Sequence, residues 1–170
     1  MASRPTTLDS MAYELSDSIT VAASPAEVFA LVRDVTRTGE WSPQCYRAEW
    51  NGAAATDPAA RTVGATFTGH NRTPEREWST VSEVVTWEPG REFSWKVTSS
   101  GTVWGYRLEP VNRRDDATVI TEFTRFTDEG EAFFAQKYGE DAAAQEADRK
   151  DAATYGITET LYAIRRIIEG

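Results

Sequence analysis

REFSWKVTSSGTVWGYRLE, residues 91–109, contains two runs of strict alternation joined by a short turn. Phe93, Trp95 and Val97 fall on one side of an extended chain, with Ser94, Lys96 and Thr98 on the other. Beyond Ser99-Ser100-Gly101 the pattern resumes, Trp104, Tyr106 and Leu108 opposing Arg107. A period of two marks a strand with one dry face. The polar, glycine-ended turn brings the second strand back antiparallel to the first. The aromatic set is therefore the inward one.

Outward from this hairpin the same period recurs. Cys45–Trp50, Ala65–Arg72 and Arg76–Trp87 precede it, and Ala117–Phe126 follows. A small-residue loop over 51–63 and the turns Thr73-Pro74-Glu75, Glu88-Pro89-Gly90 and 110–116 separate them. A parallel crossover needs a dozen or more residues, so these short links imply an antiparallel meander. With Tyr13–Ala22, about seven strands are expected.

Helical signals flank the meander. Ser24-Pro25-Ala26-Glu27 places an N-cap serine, a proline at the first helical position and a glutamate able to close a capping box. Val28, Phe29, Leu31 and Val32 form the apolar face behind it. Asp34 caps a second short helix through Glu40, ended by Ser42-Pro43. After the strands, Glu131–Tyr138 reads as a short helix stopped by Gly139, and 141–169 as a long one. Ile157, Leu161, Ile164 and Ile168 make one stripe along it. Gly156 inside this helix costs about 1 kcal/mol relative to alanine, which marks a bend or a close contact. The stripe must rest on something apolar, and the sheet is the large candidate. The expected architecture is α+β: a polar tail over 1–12, then one domain over 13–170. In it a twisted antiparallel sheet curves around the terminal helix and leaves a hollow between them.

Composition narrows the chemistry. A formal net charge of -9 repels phosphate backbones and anionic membranes, so no nucleic acid and no membrane insertion is expected. No apolar run has the length of a membrane span, and Met1–Ser10 lacks a secretory signal's apolar stretch, which points to the cytoplasm. One cysteine, Cys45, and one histidine, His70, rule out an internal disulfide and a Cys/His zinc cluster. No metal and no cofactor is called for. Six Trp, six Tyr and seven Phe serve either as core or as the lining of a cavity for an apolar ligand.

The order of elements and the motifs on them resemble the START-like superfamily, also called Bet v 1-like, SRPBCC or helix-grip. Within it the chain resembles the bacterial polyketide cyclase/dehydrase and lipid transport group. The matching pieces are Ser24-Pro25-Ala26-Glu27-Val28-Phe29, Trp41-Ser42-Pro43, Gly64-Ala65-Thr66-Phe67 with Gly69 and Asn71, and Trp87-Glu88-Pro89-Gly90-Arg91-Glu92-Phe93. The Trp104/Tyr106/Leu108 alternation and 118–122 complete them, over about Tyr13 to Glu169. The resemblance implies a helix-grip fold with an internal cavity, and it implies no particular reaction, since carriers and cyclases share the fold.

Strand parity then nominates the lining. Phe67 and Asn71 share a face with Gly69; Trp78 shares one with Thr80, Ser82 and Val84; Phe93, Trp95, Trp104 and Tyr106 are inward on the central hairpin. In the last strand the resemblance favours the set Ile120, Glu122, Thr124 and Phe126 as inward. Periodicity alone leaves Val119, Thr121, Phe123 and Arg125 equally eligible. Trp41 stands at the mouth or packs as a helix terminator, and Tyr155 closes the cavity from the helix or is exposed. Glu122 has two readings, a ligand-contacting carboxyl or a member of a structural network. Asn71 either contacts ligand or satisfies backbone, and Tyr106 contacts substrate or packs in the core. His70 is expected outward beside Arg72, Glu75 and Glu77, as a solvated surface histidine.

The expected partner is a small hydrophobic molecule (lipid, isoprenoid or polyketide-like) held by a monomer or homodimer. The alternative is a cyclase or dehydratase acting on a poly-β-ketone. There Glu122 would take an α-proton while Asn71 or Tyr106 donates to the enolate oxygen.

Overall fold

A computed structural model describes residues 11–113 and 115–170. The tail expected over 1–12 lies outside the described residues as far as Ser10, and its last two residues already belong to a strand. The strand order along the sheet is β1-β7-β6-β5-β4-β3-β2, every pairing antiparallel. Those strands are β1 (Met11–Val21), β2 (Cys45–Trp50), β3 (Thr66–Arg72), β4 (Glu77–Glu88), β5 (Glu92–Val97), β6 (Val103–Pro110) and β7 (Thr118–Thr127). From β2 to β7 each strand pairs with the next in sequence, which is the expected meander, and β1 adds to β7 at the far edge.

The helix α1 (Pro25–Val32) follows β1, and both halves of its capping box are formed. Ser24 Oγ accepts from the Glu27 amide, and Glu27 Oε2 accepts from the Ser24 amide at 3.1 Å. The second short helix is a 3-10 segment, Val35–Glu40, capped by Asp34. The 51–63 loop holds two 3-10 turns, Gly52–Ala55 and Pro58–Ala60.

Helix α2 (Asp128–Tyr138) begins three residues earlier than the apolar pattern indicates. Asp128, Glu129 and Glu131 occupy its first turn, where carboxylates favour the positive end of the helix dipole. Gly139, at φ +55°, ends it. Helix α3 (Ala142–Glu169) lies against β1, β7 and α2. Ile157, Leu161 and Ile164 are its sealed positions, joined by Ala153 and Thr160.

Two features of the sheet depart from simple alternation. A register shift between Val84 and Thr86 resets the parity of β4, so Trp87 comes opposite Phe93 and packs edge-on against it at 5.6 Å. Phe123, on the convex face with Val119 and Thr121, is nonetheless fully buried. It lies across Gly105 and beside Ser94, beneath the guanidinium groups of Arg107 at 4.0 Å and Arg125 at 4.9 Å. A side chain at position 105 would occupy the place of that ring.

Candidate functional site: an aromatic cavity with a buried carboxyl

The space between sheet and helix is a cavity of about 530 Å³, within the usual range of small-molecule sites. It stays open because α3 turns small residues towards it. Ala152, Ala153, Gly156 and Thr160 line it, while the larger Ile157, Leu161 and Ile164 seal the neighbouring core. A Cβ at Gly156 would meet only Pro43, at 3.8 Å, so this glycine marks the passage of the 42–44 loop against the helix.

The aromatic residues divide between two tasks. Phe29, Trp50 and Trp87 form a packed end, joined by edge-on contacts at 5.5 Å (Phe29–Trp87) and 6.4 Å (Trp50–Trp87). Phe67 touches Trp50 at 5.6 Å and Trp95 at 5.9 Å, and so begins the cavity wall. Phe93, Trp95 and Tyr106 continue it, with centroids 5.2 and 5.9 Å apart. Trp95 sits opposite Trp104 in the β5–β6 register, and Trp78 opposite Asn71 in β3–β4. Trp41, Phe67, Trp78, Phe93, Trp95 and Trp104 all line the space, as do Asn71, Tyr106 and Glu122. Asn71 also donates from its amide to the Gly69 carbonyl at 3.3 Å.

Tyr155 does not belong to this group. Its side chain is 64% exposed. Gly156 faces the cavity, and adjacent helical residues diverge by about 100°, so the tyrosine is carried round to solvent. His70 faces outward as expected but is more engaged than a free surface histidine. Its ring bonds Glu49 at 2.7 Å and Ser79 at 2.9 Å, partners that strand pairing supplies rather than Arg72, Glu75 or Glu77.

At the cavity wall, register pairs Glu122 of β7 with Tyr106 of β6. The Glu122 set faces inward, the choice periodicity left open. Glu122 is 5% exposed, and its Oε2 has no hydrogen-bond partner among the described residues. Burial alone holds its carboxyl well above the usual carboxylate range, which favours the protonated form. Tyr106 is likewise pushed up, by burial first and by Glu122 second, against a smaller opposing effect from Trp41. A phenol and a carboxyl from paired strands thus line one cavity, and burial favours the protonated form of each. Protonated, each carries an O–H able to donate to a carbonyl or hydroxyl oxygen.

Several lining residues escaped the sequence reading. Cys45 opposes Asn71 across β2–β3, and burial raises its thiol. Arg76, Lys137 and Arg149 stand at the rim with Tyr138. Arg76 has the parity of Trp78, and Lys137 and Tyr138 lie one turn beyond Phe133 and Phe134, so parity and helical spacing hold that signal. Among the described residues no group of three or more His, Cys, Asp and Glu side chains is placed to hold a metal ion. No helix among them is long and apolar enough to cross a membrane.

A family model described as polyketide cyclase/dehydrase and lipid transport matches residues 13–153. The chain belongs to that family. A Polyketide_cyc-like protein from Corynebacterium glutamicum, known from a solution NMR structure, is 46% identical over 92% of this chain and 91% of its own, with a TM-score of 0.65. The di-domain ARO/CYC StfQ of the steffimycin biosynthetic pathway is 14% identical, with a TM-score of 0.66, over 92% of this chain and half of its own. A START superfamily protein from Mycobacterium smegmatis is 13% identical over 66% of this chain and 74% of its own, with a TM-score of 0.53. At that identity the last two show the fold, which is the helix-grip fold of this family. No curated protein sequence matches the chain.

Proposed function

We propose that this member of the polyketide cyclase/dehydrase and lipid transport family binds a small hydrophobic molecule (a lipid, isoprenoid or polyketide-like compound) in the cytoplasm. The observation that carries this is the open cavity of about 530 Å³, whose aromatic wall includes one neutral, unpartnered carboxyl oxygen. An apolar wall supplies affinity through buried area, and a single buried donor pair supplies orientation. Glu122 and Tyr106 are the orienting pair; Phe67, Trp78, Phe93, Trp95 and Trp104 are the contact surface, with Trp41 and Asn71 towards β2.

A second reading rests on the same pair. In a dehydratase of poly-β-ketones the protonated Glu122 would give its proton to the departing hydroxyl while Tyr106 donates to the ketone oxygen, and the carboxylate so formed would take the α-proton, leaving an enone and water with the acid restored. Burial favours the protonated carboxyl, so Glu122 acts first as a donor and not, as the sequence suggested, first as a base.

Organic extraction of the purified, denatured protein, followed by mass spectrometry, tests the proposal. A hydrophobic compound recovered near one equivalent is the expected result. Loss of water from an added poly-β-ketone, at a rate above buffer, moves the reading to the enzyme. No extractable compound, and no binding from a panel of lipids and polyketides, overturns it.

A further inference from the structure

The rim of the cavity is cationic in a chain that is otherwise strongly acidic. Arg76 sits over the Trp78 ring, its guanidinium carbon 3.8 Å from the centroid. Lys137 stands over the rings of Phe133 at 5.7 Å and Tyr138 at 5.2 Å. Arg149, on α3, reaches the Tyr138 hydroxyl with Nη2 at 3.5 Å. All three cations line the cavity with Tyr138.

They are also under-compensated. Asp148 takes one arm of Arg149 at 3.1 Å, but among the described residues neither Arg76 nor Lys137 has an ion-pair partner. Burial and the neighbouring Arg149 hold Arg76 below its ordinary pKa. Burial alone would raise the Tyr138 phenol, yet Lys137 and Arg149 bring it down. Arg149 bonds the phenolic oxygen, and Lys137 and Arg76 lie near enough to Tyr138 to bear on it, yet one such oxygen accepts at most two hydrogen bonds. Donors are left over, and they face the opening. Three cations share the one nearby counter-charge of Asp148, which bears on Arg149 and Arg76, and a bound anion relieves the excess.

We propose that Arg76, Lys137 and Arg149 form a clamp for the anionic head group of an amphipathic ligand whose apolar part lies in the cavity. This rests on the cavity-binding reading above and narrows it. The ligand carries a carboxylate or phosphate at one end. Its apolar body runs along Trp78, Trp104 and Trp95, and a neutral oxygen deeper in the molecule accepts from Glu122 and Tyr106. Charge-assisted hydrogen bonds at the rim contribute more affinity than neutral ones at the floor. The ligand therefore binds head outward.

The test measures quenching of the cavity tryptophans by dodecanoate, dodecyl phosphate and methyl dodecanoate. It uses the full chain and an Arg76→Gln/Arg149→Gln variant, with Lys137→Gln as a second, separate variant. Unchanged thermal melting of each variant establishes that it is folded. The unsubstituted protein is expected to bind one or both anions roughly tenfold tighter than the ester. That preference should shrink in either variant and at high salt, while ester affinity stays the same. The ratio of carboxylate to phosphate binding tells which head group fits. Equal binding of all three probes, or a preference that survives the substitutions, overturns the clamp and leaves the cavity reading standing. Failure of every probe to bind also overturns the clamp, and the cavity reading is then decided by the extraction and the wider panel.

Discussion

Glu122 is the residue at which stability and function meet. In the unfolded chain it ionises in the ordinary carboxylate range; in the fold, burial raises that value well above it. The native state thus holds its proton more tightly than the unfolded state does. The neutral carboxyl's stability is fully present below the unfolded value and is lost as pH rises through the folded one. Glu122→Gln removes the ionisation while keeping the shape. Urea denaturation should show the unsubstituted protein weakening as pH rises above the ordinary carboxylate range, and the variant losing little of its stability there. Parallel decline in both would mean that Glu122 is solvated and charged. Parity along β7 limited Glu122 to one of two faces without choosing between them. Burial, the missing partner of Oε2 and the pairing with Tyr106 come from neighbouring elements, and no local pattern encodes them.

At the scale of the element, β6 shows how a sheet uses a glycine. A Cβ built on Gly105 would lie 2.6 Å from Ser94 Cβ and 2.7 Å from Phe123 Cζ. Glycine interrupts β propensity here, yet it makes room for a ring lying flat on the convex face, itself covered by Arg107 and Arg125. Gly105→Ala should cost about 1–3 kcal/mol, since a fully buried Phe123 must move, and chemical denaturation measures it. A change within a few tenths would mean that the ring shifts freely. The alternation Trp104, Tyr106, Leu108 and the capping box at Ser24 were legible because a strand's period and a helix's first turn are local. The Val84/Thr86 bulge was not. It belongs to the pairing of β4 with β5, and it alone brings Trp87 inward.

The whole molecule turns on unfilled space beneath α3. Ala153 is buried and lines that space, whereas Leu161 lies in the packed core. Ala153→Leu should fill part of the void. Titration with dodecanoate is expected to show at least roughly tenfold weaker binding, with a melting temperature no lower than before, because added methyl groups occupy an opening rather than crowd a packed core. Unchanged affinity would place the ligand elsewhere. The amino-acid order by itself determined the meander, the capped start of α1, the stripe of Ile157, Leu161 and Ile164, and the parity of the aromatic wall. Each of these depends on neighbours a few residues apart. Only the tertiary structure decided which aromatics pack and which line a cavity, that Glu122 faces inward without a partner, that Tyr155 faces solvent, and that Arg76, Lys137 and Arg149 meet at one rim. Those outcomes depend on sheet curvature and helix placement, which bring together residues far apart along the chain.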